Sequence, residues 1–264
     1  MTVWLTGCVQ EEFESTPSPA GNGIRFTLTV PDVNLPSVSS RTMTGTGTAK
    51  KEDEIETVDI LVFDMSKTPA VFLEWVSATG VTQDLADNST VSFSAVLSPT
   101  TASTCIVVVA NKELDNIVSG FTKGATTKVE AMEKMLHTQT GKWLADGSTT
   151  GGYTRIPMYG EKVISKITPS MDPITGINMK RMLARIDIRN NSATSNFTVE
   201  EVYLANYNTT GYIAPAWNTN GQVTDPVPDT PVLPAGSGKM TEEGDAILYS
   251  VNGNTPYDLS LIHI

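Results

Sequence analysis

The chain is short of basic charge: across its 264 residues, 18 Lys and Arg stand against 29 Asp and Glu, a net charge of -11. Phosphate backbones are neutralised by clustered Lys and Arg, and without such clusters nucleic acid is excluded as a partner. Long apolar runs are missing too, since none approaches the roughly 20 residues of a membrane-spanning helix. Histidine occurs twice, at His137 and His263, and neither has a partner at metal-ligand spacing. No G-x-S-x-G, P-loop or dinucleotide fingerprint is present. The acidic stretches DEIE (53–56) and TEEGD (241–245) read as solvated surface charge. The residues therefore offer no enzyme, no cofactor and no metal site.

What fills the space is Thr, Ser, Gly, Asn and Pro around an ordinary apolar fraction of 39%. That balance fits an all-β extracellular protein better than a helical cytosolic one. IRFTLTV (24–30) alternates Ile24, Phe26, Leu28 and Val30 with polar residues, the period of a strand with one buried face. From Pro31 to about Lys51 the chain becomes a Ser/Thr/Gly/Pro linker that carries a single arginine, Arg41, followed by Thr42. EIETVDILVFDM (54–65) and CIVVVAN (105–111) read as strands buried on both faces. VFLEWV (71–76) reads as the hairpin partner of the first of these, and STVSFSAVL (89–97) as a strand with Val91, Phe93, Ala95 and Leu97 inward.

Only TTKVEAMEKMLH (126–137) has a helical pattern, with Thr127 and Glu130 at capping-box spacing and His137 at its end. RIPMYGEKVI (155–164), NMKRMLARIDIRN (178–190), TVEEVYLANYN (198–208) and DAILYSVNG (245–253) complete the strand candidates. Many short strands separated by turn residues, with one short helix, predict an all-β sandwich architecture. A Pro- and Gly-containing stretch at 168–178 is the best place for a domain boundary.

The two cysteines differ in kind. Cys105 lies in an apolar strand and reads as a buried, inert thiol. Cys8 lies in LTGC (5–8), which resembles the bacterial lipobox, whose cysteine is lipidated and becomes the mature N-terminus; residues 9–22 read as its tether. Seven residues without a basic segment precede Cys8, so the expected signal starts further upstream. The closing DLSLIHI does not continue the preceding pattern, and the natural C-terminus is expected beyond it.

Taken in order, lipobox Cys8, the strand–linker–Arg41 segment, IETVDILVFD (55–64), VVVANK (107–112), IPMYGE (156–161), MKRMLARIDI (179–188) and VYLANYNTTGYIAP (202–215) resemble the fimbrillins of Bacteroidetes. These are the FimA-type major fimbrial subunits and their relatives. The resemblance implies tandem, Greek-key-like β-sandwich domains, at 51–175 and 176–264, preceded by a signal and tether (1–22) and a removable first strand with its cleavable linker (23–50). It implies a structural subunit of a surface fimbria, first anchored in the outer membrane by a lipid such as palmitate on Cys8, then incorporated into the fimbria and supporting adhesion. An arginine-specific protease would cut between Arg41 and Thr42. The strand carrying Ile24, Phe26, Leu28 and Val30 would then leave, and a strand of another subunit would take its place. Other fimbrial subunits, the lipoprotein-processing machinery, the protease and a host or bacterial surface ligand are the implied partners. The competing readings are a tip or anchor subunit of the same fimbria, and a non-polymerising surface lipoprotein whose Trp75, Trp143, Tyr153 and Trp217 stack on glycans.

Overall fold

In a computed structural model of the full chain, the residues described are 24–30, 54–83, 90–138, 155–183, 187–188, 201–202, 208, 210–224, 233–236, 249–250 and 257–258. Among the described residues the first elements are β1 (Ile24–Thr29), β2 (Val58–Asp64), β3 (Val71–Ser77), β4 (Thr79–Gln83), β5 (Thr90–Ala95) and β6 (Thr104–Ala110). Helices α1 (Asp115–Val118) and α2 (Lys128–Lys134) follow, then β7 (Leu136–Thr138), β8 (Met158–Ile164), β9 (Ile174–Asn178) and β10 (Lys180–Arg181). Among the later described residues, β11 (Asp187–Ile188) pairs with β15 (Tyr257–Asp258), and β12 (Glu201–Val202) with β14 (Tyr249–Ser250). The element β13 (Thr210–Tyr212) returns to pair with β7.

Two sheets make a sandwich. One has the order β4-β5-β1-β9 and the other β10-β8-β6-β2-β3. Period-two alternation puts Ile24, Phe26, Leu28, Val91, Phe93 and Ala95 of the first sheet against Val58, Ile60, Val62, Ile106 and Val108 of the second. The second sheet is covered on its other face as well. There Leu61, Phe63, Val107, Val109 and Tyr159 pack under Leu114, Met132, Met135 and Ile213. Burial on both faces is why β2 and β6 are continuous apolar runs, whereas β1 and β5 alternate.

The helical segment is shorter than its pattern predicts. α2 ends at Lys134, and His137 lies not at a helix end but in β7, opposite Gly211. The capping box is present: Thr127 Oγ1 accepts from the Glu130 backbone, and the Glu130 carboxylate accepts from the Thr127 N–H at 2.8 Å. The one-helix expectation also omits α1, a four-residue turn after β6. β9 spans the point between 175 and 176 at which the sequence divides the domains. It pairs with β1, so the first sheet draws on chain from both sides of that point. β10 then joins β8 in the second sheet. The crossing from one sheet to the other passes so close to Gly160 that a Cβ there would meet Met179 Sδ at 2.7 Å and Ile177 Cγ2 at 2.8 Å.

Candidate functional site

The first strand among the described residues, β1, occupies an interior position in its sheet. Its six residues pair antiparallel with β5 without interruption, from Ile24↔Ala95 to Thr29↔Thr90. On its other side β1 runs parallel to β9, with Phe26 opposite Ile174 and Leu28 opposite Ile177, and an irregularity between the two pairs. The Met179 N–H donates to the Thr29 carbonyl at 2.9 Å and continues the ladder past β9. Taking β1 away would therefore leave two facing strand edges with unpaired N–H and C=O groups.

The apolar face of β1 is sealed. Ile24, Phe26, Leu28 and Val30 are 4%, 1%, 0% and 1% exposed. Phe26 stacks on Phe93 with ring centroids 5.0 Å apart and planes 6° from parallel. Complete burial of four such side chains corresponds to roughly 6–12 kcal/mol of hydrophobic stabilisation, as an upper value. The whole stability of a typical domain is about 5–15 kcal/mol. The site is thus a groove of apolar pockets between β5 and β9, filled by the chain's own first strand.

Of the residues that the sequence singles out, the structure brings these four together in one row. Cys8, Arg41 and Thr42 lie outside the described residues, as do Trp143 and Tyr153. Trp75 and Trp217 are half-buried against the outer core of the second sheet, where Trp217 meets Tyr212 edge-on at 4.9 Å. Glu54 and Glu56 of the DEIE stretch form ion pairs with Arg155 at 3.0 and 2.7 Å. Cys105 is sealed in the outer core, where burial pushes its thiol up to about 11. A thiol held protonated in this way is inert.

Sequence reasoning missed the groove wall made by Ile174 and Ile177. Those residues sit in DPITGIN, where Pro173 and Gly176 read as a linker. Gly176 takes a positive φ of 72°, so the glycine marks an irregularity within a strand.

The class that these elements define is a two-sheet β-sandwich subunit in which β1 lies between two other strands of its sheet. A family model described as "Major fimbrial subunit protein (FimA)" matches residues 24–181, a span that begins at the first residue of β1 and ends at the last of β10. The chain belongs to that family and is a structural subunit of the fimbria, a cell-surface assembly in which it associates with other subunits.

No curated protein matches the sequence. Among solved structures, a cell adhesion protein from Parabacteroides distasonis is 17% identical with a TM-score of 0.50, covering 92% of this chain and 70% of that one. A fimbrial assembly protein from the same organism is 13% identical with a TM-score of 0.43, covering 90% of this chain and 85% of that one. A protein described as polysaccharide-binding, from Bacteroides thetaiotaomicron, is 12% identical with a TM-score of 0.38, covering 82% and 69%. At this identity the first of these likenesses concerns the fold alone.

Proposed function

We propose that this fimbrial subunit polymerises by strand exchange at the β1 groove. The precursor is exported as a lipoprotein, acylated on Cys8 and held at the outer membrane by that lipid. An arginine-specific protease cuts between Arg41 and Thr42. The segment bearing Ile24, Phe26, Leu28 and Val30 is then held by noncovalent contacts alone, and a strand of another subunit replaces it. The C-terminal part of the chain, apart from β9, β10 and the segment 210–224 that pack with the first sandwich, forms a second β domain. The role is structural, with no catalytic step of its own.

The observation that carries this reading is the position of β1. A strand followed by a linker of about twenty residues is buried on one face and hydrogen-bonded along both edges. Cutting the linker leaves β1 tied to its sheet by noncovalent contacts alone and makes a complete row of pockets available for exchange. Main-chain pairing supplies affinity in such an exchange, and the alternate pockets supply register.

The test is polymerisation of the purified precursor with and without arginine-specific protease, scored alongside N-terminal sequencing of the polymer. Polymers should consist of chains beginning at Thr42. Polymerisation of uncut chains at the same rate would refute strand exchange at this groove.

A further inference from the structure

The outer core of the second sheet holds a buried amine. Lys128, at the start of α2, has a side chain that is 0% exposed, and its Nζ lies 2.6 Å from Glu161 Oε2 on β8. Tyr159, fully buried two residues before Glu161, donates its hydroxyl to the same Oε2 at 2.5 Å. The other carboxylate oxygen, Oε1, accepts from the backbone N–H of Val223 at 3.3 Å. Gly221 presses on the stem of the lysine, since a Cβ there would sit 3.2 Å from Lys128 Cβ and Cγ. Amine, carboxyl group, a hydroxyl donor on one oxygen and an amide donor on the other are thus held together by α2, β8 and the segment 217–223.

We propose that Lys128 and Glu161 condense into an intramolecular amide, an isopeptide bond that ties α2 to β8. In an apolar pocket an ion pair is costly, and passing one proton from the ammonium to the carboxylate gives a neutral amine beside a neutral acid. The amine lone pair attacks Glu161 Cδ, and the negative charge that develops on Oε1 falls on the atom that the Val223 N–H already holds. Tyr159 donates a proton to Oε2, the C–Oε2 bond breaks, and the oxygen leaves as water. The proton lost by nitrogen restores the phenol. The balance is one ammonium and one carboxylate giving one amide and one water, with no oxidant, reductant or metal.

The surroundings suit each role. Burial raises the Tyr159 phenol well above its ordinary range, assisted by the neighbouring Glu161 charge, so it remains a proton donor. The Cys105 thiol beside this cluster is kept protonated by burial and supplies no competing anion. Glu161 retains 18% side-chain exposure, which gives the water a way out. Holding the reacting groups in contact is equivalent to an effective molarity of roughly 10⁵–10⁸ M, which favours a condensation that free amines and carboxylates do not undergo in water.

The experiment is tandem mass spectrometry of peptides from the folded, full-length chain. The expected result is a branched species joining the Lys128 peptide to the Glu161 peptide, lighter than their sum by one water and absent from the Lys128→Arg variant. After refolding, Tyr159→Phe should form the link roughly 100-fold more slowly, the usual scale for loss of a general acid. Unlinked peptides from wild-type protein held folded at neutral pH for several days would overturn the proposal. So would equal linkage in chain kept denatured. Both outcomes are read on the wild-type chain, so a variant that fails to fold leaves the test intact.

Discussion

Replacing Phe26 by alanine should separate the two states of this subunit. In the uncut chain Phe26 is 1% exposed, stacked on Phe93 and set between β5 and β9. Truncating a buried Phe to Ala costs about 3–5 kcal/mol. The upper half of that range applies here, because the stacked partner loses a contact worth about 0.5–1.5 kcal/mol and both flanking strands limit collapse of the cavity. Urea unfolding of the uncut precursor should therefore show a midpoint lowered by a large part of the total stability, with an unchanged slope. After cleavage and polymerisation the substituted strand is no longer in the groove, and the polymer should resist urea as wild type does. Release of β1 should meanwhile be faster. A loss below about 1 kcal/mol in the precursor would refute the groove energetics. An equal loss in precursor and polymer would show that β1 never leaves.

Cys8→Ala should move the precursor from the detergent phase to the aqueous phase or block its export, and unchanged partitioning would rule out the lipid on Cys8. Arg41→Ala should leave a folded monomer that arginine-specific protease no longer converts into polymer; size-exclusion chromatography before and after protease reads this directly. Thr127→Ala removes the acceptor at the start of α2 and should lower stability by about 0.5–2 kcal/mol in thermal or urea unfolding, the range for a lost N-cap. Asp59 gives a pH signature: burial raises its pKa above 3.8, outweighing hydrogen bonds from Ser77 and the Leu114 N–H. The unfolded chain therefore loses that proton first, and this group's contribution to stability falls as pH rises from 3.8 through the higher folded value. Unfolding free energies of wild type and Asp59→Asn across the acid range should converge or diverge with that sign; a difference of opposite slope would contradict it.

Strands with strong periodicity were legible in the sequence. The alternation in β1 and β5 and the continuous apolar runs in β2 and β6 each follow from the number of faces the sheet buries. They gave the sandwich and the row Ile24, Phe26, Leu28 and Val30. Less legible were elements whose identity depends on distant chain. β9 carries a positive-φ glycine and has a ladder partner in its sheet only because β1 runs beside it, so its residues look like a linker in isolation. β7 is three residues long and pairs with β13, about seventy positions away; locally it continues the helix. The Lys128–Glu161 pair joins a helix start to a strand and has no local signature. Its burial depends on the 217–223 segment arriving from much later in the chain.

The interior place of β1 also dictates when the sandwich can form. The strand emerges ahead of both its partners during synthesis: its antiparallel partner follows about 70 residues later and its parallel partner about 150 residues later. Closure of the first sheet is therefore a late and non-local event, the kind that folds in milliseconds to seconds and not in microseconds. Until residues 174–178 have emerged, the apolar row of β1 has no complete site, and its exposed pairing edge is the part of the nascent subunit most prone to join the wrong neighbour. Keeping that segment covalently attached until the sheet has closed holds its local concentration high through the vulnerable interval. A chain severed at Arg41 before closure would instead have to find its strand from solution.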